Sequence, residues 1–95
     1  MKTPDKKQLK SQAHSLKPVV MIGQAGLTPA VLAEIENALD CHELIKVKIR
    51  AERDERKLIS EKICQNTQAE LIQTIGQILV IYRLNPKKSQ HNLKL

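Results

Sequence analysis

Apolar residues recur along this chain with two different periods. From Leu44 to Ala51 they alternate: Ile45, Val47, Ile49 and Ala51 fall on one side, Lys46, Lys48 and Arg50 on the other. A period of two belongs to a β-strand, so this stretch predicts a strand with one buried face and one wet, positive face. Val31, Leu32, Ile35, Ala38 and Leu39 recur instead at helical spacing. They predict an amphipathic helix that begins at Thr28-Pro29, a capping hydroxyl followed by proline, and runs to about Cys41. The same cap and proline occur at Thr3-Pro4, followed by Asp5, and predict a first helix to about His14 with Leu9 and Ala13 on one face. Pro18 forbids its continuation. A third helix is expected over residues 54–65, burying Leu58, Ile59 and Ile63, with Asn66-Thr67 at its end.

Three more strands complete the pattern. Pro18 to Ile22 is apolar throughout, which predicts a short strand that is covered or central. Ala69 to Ile75 and Ile78 to Arg83 flank Gly76-Gln77, which reads as a tight hairpin turn. The order is α-β-α-β-α-β-β. Strand–helix–strand units favour parallel strands, and the final hairpin adds an antiparallel one. The economical solution is an α/β fold, a two-layer sandwich on a mixed four-stranded sheet. With 95 residues the chain suits a single domain over residues 1–85, followed by a basic, polar tail, 86–95, expected to be disordered.

Composition narrows the function classes. Tyr82 is the only aromatic residue, so the chain cannot read bases through a platform of stacked rings. The net charge of +6 points toward polyanions: RNA, DNA or an anionic membrane. The charge is segregated. Lysines crowd residues 1–17, Lys46, Lys48 and Arg50 form a cluster, and Arg83, Lys87, Lys88 and Lys94 lie near the end. Glu34, Glu36, Asp40 and Glu43 share one stretch that contains no base. The first helix has too thin an apolar face to lie on a membrane. Cys41 and Cys64, far apart and outside any paired motif, fit a reducing cytoplasm and read as small buried hydrophobes. No signal peptide is evident, and no apolar run approaches the ~20 residues that span a bilayer.

The loop Gly23-Gln24-Ala25-Gly26 carries the most informative chemistry. It joins the carboxyl end of a strand to the amino end of a helix, where backbone amides lack internal partners and carry partial positive charge. A phosphate can accept those hydrogen bonds, and glycines leave no Cβ in its path. The same glycines also suit a plain tight turn. Position favours the phosphate reading: a parallel second strand puts Arg50 at the same end, and Arg53 and Arg56 follow. The Gly76-Gln77 hairpin reaches that edge too if the third strand is parallel. The acids of the second helix fall in its later turns, away from the loop. His14, His42 and His91 are scattered, so no metal site is expected. No serine occupies a nucleophile elbow and no Walker lysine follows the glycines.

The run Leu16-Lys17-Pro18-Val19-Val20-Met21-Ile22-Gly23-Gln24-Ala25-Gly26-Leu27-Thr28 resembles the start of a CRM domain. His42-Glu43-Leu44-Ile45-Lys46-Val47-Lys48 resembles it too, as does Ile75-Gly76 followed by Tyr82-Arg83. The likeness spans roughly residues 3–84, and the chain looks like a stand-alone bacterial member of the YhbY type. The resemblance implies an RNA-binding domain associated with precursors of the large ribosomal subunit. It implies a fold like the carboxyl-terminal domain of translation initiation factor three, with the last strand inserted antiparallel between the second and third. Gly23 and Gly26 match the family's paired glycines, with Gln24 and Ala25 as the variable pair. Gln77 stands where Lys or Arg is expected and brings no charge to the hairpin.

The expected function is therefore non-catalytic RNA binding during ribosome biogenesis. Gly23, Gln24, Ala25 and Gly26 would hold a phosphate stretch, and Lys46, Lys48, Arg50 and Arg53 would supply flanking charge. The chain is expected to be a cytoplasmic monomer that needs no cofactor, metal, membrane or small-molecule substrate. A ribosome assembly factor whose basic face meets an acidic protein partner is the alternative, and a small enzyme is a more distant one.

Overall fold

The computed structural model describes residues 5–84. Three helices and four strands follow in the expected order: α1 (Lys6–Ala13), β1 (Val20–Ile22), α2 (Pro29–His42), β2 (Leu44–Ile49), α3 (Arg53–Thr67), β3 (Glu70–Ile75) and β4 (Ile78–Tyr82). The sheet order is β1-β2-β4-β3. β1 runs parallel to β2, while β4 is antiparallel to both of its neighbours. The last strand is thus inserted between the second and third, as the resemblance implied. The fold is α/β on a mixed four-stranded sheet. The Thr3-Pro4 helix start and the 86–95 tail lie outside the described residues.

Strand alternation divides the apolar side chains between two cores. On one face, Val20, Ile22, Ile45, Val47, Ile49, Leu79 and Ile81 pack with Ile35 and Leu39 of α2 and Ile59 and Ile63 of α3. On the reverse face, Leu44, Ile72, Val80 and Tyr82 pack with Leu9 and Ala13 of α1. The sandwich of α2 and α3 on the sheet therefore has an added partial cover, α1, on its other side. A bulge between Leu71 and Gln73 lets Ile72 join the reverse-face core. The β3–β4 turn has Gly76 at φ +55°, as a two-residue hairpin with glycine in its first central position requires.

Arg83 closes the far end of the molecule. Its guanidinium donates to Glu36 Oε1, to the Thr67 carbonyl at 2.9 Å and to Asp40 Oδ1 at 2.9 Å. The acids of α2, which stand without a base in the sequence, thus receive one from β4's end. Arg83 consequently belongs to the fold and leaves the inventory of free cations.

Three expectations are corrected. β1 is an edge strand, covered on its helix face and open on the other. It pairs with β2 alone, and Met21 is 55% exposed because α1 covers the other half of the reverse face. Leu58 is 57% exposed, since the inward stripe of α3 follows Ile59, Ile63 and Thr67. Cys41 is exposed on the last turn of α2 and Cys64 is half-buried.

Candidate nucleic-acid interface

The carboxyl ends of β1 and β2 and the β3–β4 hairpin meet at one rim. The Arg50 amide donates to the Ile22 carbonyl at 2.9 Å, and the Ile49 amide donates to the Gln77 carbonyl at 2.8 Å. These bonds hold Arg50 and the hairpin next to the loop that leaves β1. Arg56 braces the following turn, its guanidinium donating to the Ala51 carbonyl at 2.8 Å. Arg53 opens α3 at the same rim and lines a groove with Gly76 and Gln77.

The loop itself is a β-turn. The Gly26 amide donates to the Gly23 carbonyl at 3.0 Å, and Gly26 has φ +76°. Gly26 is therefore a glycine for the sake of the turn, and its own N–H is spent there. Gly23 is different. It is exposed, its φ lies outside the left-handed region, and a Cβ built on it meets nothing within 4 Å. Neither backbone geometry nor internal packing asks for glycine at that position. The amides of Gln24 and Ala25 have no acceptor among the described residues.

The start of α2 contributes fewer donors than its sequence suggests. Pro29 has no N–H, Val31 donates to Thr28 Oγ1 at 3.2 Å, and Leu32 donates to the Thr28 carbonyl at 2.9 Å. Ala30 alone keeps a first-turn amide. The turn at Gln24-Ala25 offers an anion two amides, backed by the positive end of the helix dipole.

The candidate cations do not form a single cluster. Arg50 and Arg53 stand at the rim with the loop, and both are exposed. Lys48 and Lys46 lie farther down β2 on the reverse face, and both are half-buried. Along an extended strand Lys46 is about 13 Å from Arg50. None of the four forms an ion pair with a described residue. Glu36, Asp40 and Glu43 occupy the opposite end of α2, near Arg83. The rim holds Arg50 and Arg53 beside the exposed acids Glu52, Asp54 and Glu55 at the start of α3, while at the far end Arg83 pairs with Glu36 and Asp40.

Register reveals residues that linear reading missed. Met21 pairs with Lys48, Lys48 with Ile78, and Ile78 with Ile75, which makes one row across all four strands on the reverse face. Met21 and Ile75 are exposed, Ile78 and Lys48 half-buried. Only strand pairing assembles this row, so no local signal could have found it.

Other chemistry finds little support among the described residues. No group of three His, Cys, Asp or Glu side chains there could hold a metal. Burial pushes the Cys64 thiol's pKa up, which disfavours the thiolate a nucleophile would need. No described helix is long and apolar enough to cross a membrane.

Comparison with known proteins bears on the family and the fold. The sequence model of the CRS1 / YhbY (CRM) domain matches residues 1–83. A Pseudomonas aeruginosa protein named a probable RNA-binding protein is 48% identical over 87 residues, covering 90% of this chain and 84% of that one. An RNA-binding protein of Haemophilus influenzae is 56% identical over 84 residues, covering 87% and 85%. A Staphylococcus aureus protein solved in solution superposes with a TM-score of 0.75 at 36% identity, covering 84% of each chain.

Proposed function

The chain belongs to the CRS1 / YhbY (CRM) domain family, and on that premise we propose that it is a non-catalytic RNA-binding protein acting on precursors of the large ribosomal subunit. The observation that carries the reading is Gly23: an exposed glycine that the fold does not require, beside two amides without acceptors and next to Arg50. A missing Cβ there matters to something that approaches from outside. A sugar-phosphate chain fits, because its oxygens accept hydrogen bonds from the Gln24 and Ala25 amides while Arg50 and Arg53 neutralise neighbouring phosphates.

Lys46 and Lys48 extend the positive field down the sheet's reverse face. Gly26 sets the turn and Gly23 admits the ligand. No step of this reading needs a cofactor, a metal or a chemical transformation. The protein would act as a monomer in the bacterial cytoplasm and bind with low sequence specificity, since backbone contacts position a protein on RNA without reading bases.

The test is an electrophoretic shift series with fragments of precursor large-subunit ribosomal RNA. Gly23→Asp leaves the thermal melt unchanged and weakens binding at least tenfold, about 1.4 kcal/mol. A folded variant with undiminished affinity refutes the loop assignment. Binding that ignores salt points instead to an assembly factor whose basic face meets an acidic protein.

A further inference from the structure

We infer that the RNA held at the loop is unpaired where it leaves the rim, and that its bases lie on the reverse face of the sheet across the row Met21, Lys48, Ile78 and Ile75. This rests on the RNA-binding reading above and adds to it the class of RNA that fits.

A chain gripped at Gln24-Ala25 has two faces of β1 to follow. The helix face is closed, because Val20 and Ile22 are 4% and 0% exposed beneath α2. The reverse face is open at this rim. Met21, two residues before Gly23, is 55% exposed, and Ile75 at the other edge is 58% exposed. The register joins them through Lys48 and Ile78. α1 ends the open area by covering Leu44, Ile72, Val80 and Tyr82. Three inter-strand steps make the row about 14 Å long. Four-stranded sheets that carry aromatic rings stack two or three single-stranded bases; here Met21, Ile78 and Ile75 stand in place of rings.

The row's charge identifies its occupant. Lys48 lies within it, Lys46 lies one row farther in, and Arg50 stands at its rim. Among the described strand residues Glu70 is the one acid, and it pairs with Tyr82 at the end that α1 covers; Glu52, Asp54 and Glu55 lie beyond β2, at the start of α3. An apolar strip threaded by cations and continuous with a phosphate-binding turn suits a strand whose bases are free to turn away from its phosphates. A duplex buries its bases and offers this strip nothing apolar. Contact through Met and Ile in place of aromatic rings holds bases with little regard to their identity.

The experiment compares a fluorescein-labelled uridine 12-mer with a blunt 12-base-pair RNA duplex by anisotropy. Met21→Gln and Ile75→Gln are neutral changes at exposed positions, and melts check their folding. Wild type prefers the single strand, and each variant loses at least fivefold in single-strand affinity while duplex affinity stays unchanged. Gly23→Asp weakens both probes. A 4-thiouridine 12-mer, crosslinked to the wild type and mapped by peptide, marks Met21 and the segment 75–78.

Unchanged single-strand affinity in both variants, with crosslinks elsewhere, overturns the inference and leaves the row to a protein partner. An equal loss for duplex and single strand overturns it as well. If Gly23→Asp binds like wild type while the glutamine variants lose single-strand affinity, the loop reading fails and the sheet reading stands. A wild type that binds neither probe overturns both.

Discussion

At Gly26 any side chain would be carried at φ +76°, a conformation that costs an L-residue about 1–2 kcal/mol. At Gly23 no such strain arises, and the protein itself leaves room for a Cβ. A substitution at Gly26 therefore mixes stability with binding, whereas one at Gly23 reads binding alone. Arg83 poses the opposite question, because its charge could pass for part of an RNA-binding surface. Its bonds to Glu36, Asp40 and the Thr67 carbonyl assign it to the fold. Arg83→Ala is expected to lower stability by about 1–2 kcal/mol in urea unfolding, a modest figure because the freed carboxylates can be hydrated. RNA affinity should stay the same. A loss of affinity without a loss of stability would return Arg83 to the interface. The sequence hides this pairing because the partners lie 16 to 47 positions away.

Among the elements, those with a clean period were legible. The alternation in β2 and the stripe of α2 depend on local geometry, and the described structure places both within a residue or two of expectation. β1 was not legible in the same way. A run such as Val19 to Ile22 reads alike in the middle of a sheet and at its edge, and only pairing tells them apart. The insertion of β4 followed from family resemblance, since no propensity encodes strand order. The face taken by α1 was equally silent in the sequence. That helix is held by Leu9 and Ala13 alone among its residues, both 1% exposed. Leu9→Ala should cost about 2–3 kcal/mol. Hydrogen exchange should then show α1 losing protection before β2 and β4 do; loss in all three together would mean that the helix is not a separable cover.

For the molecule as a whole, charge placement matters more than net charge. Binding should weaken steeply with salt, since each phosphate neutralised releases counterions. Arg50→Ala and Arg53→Ala are each expected to reduce the slope of log affinity against log salt by about one. An unaltered slope in both would remove the rim from the phosphate contacts. The order of the sheet has a separate consequence for how the protein is made. β4 is the last of the described strands and stands between β2 and β3. While a ribosome is still translating, β1 and β2 can pair, but β3 has no neighbour until residues 78–82 have cleared the exit. A nascent chain stopped short of Tyr82 holds two unfinished fragments, so truncation there should abolish folding where loss of the residues beyond 84 would leave every described strand its partners.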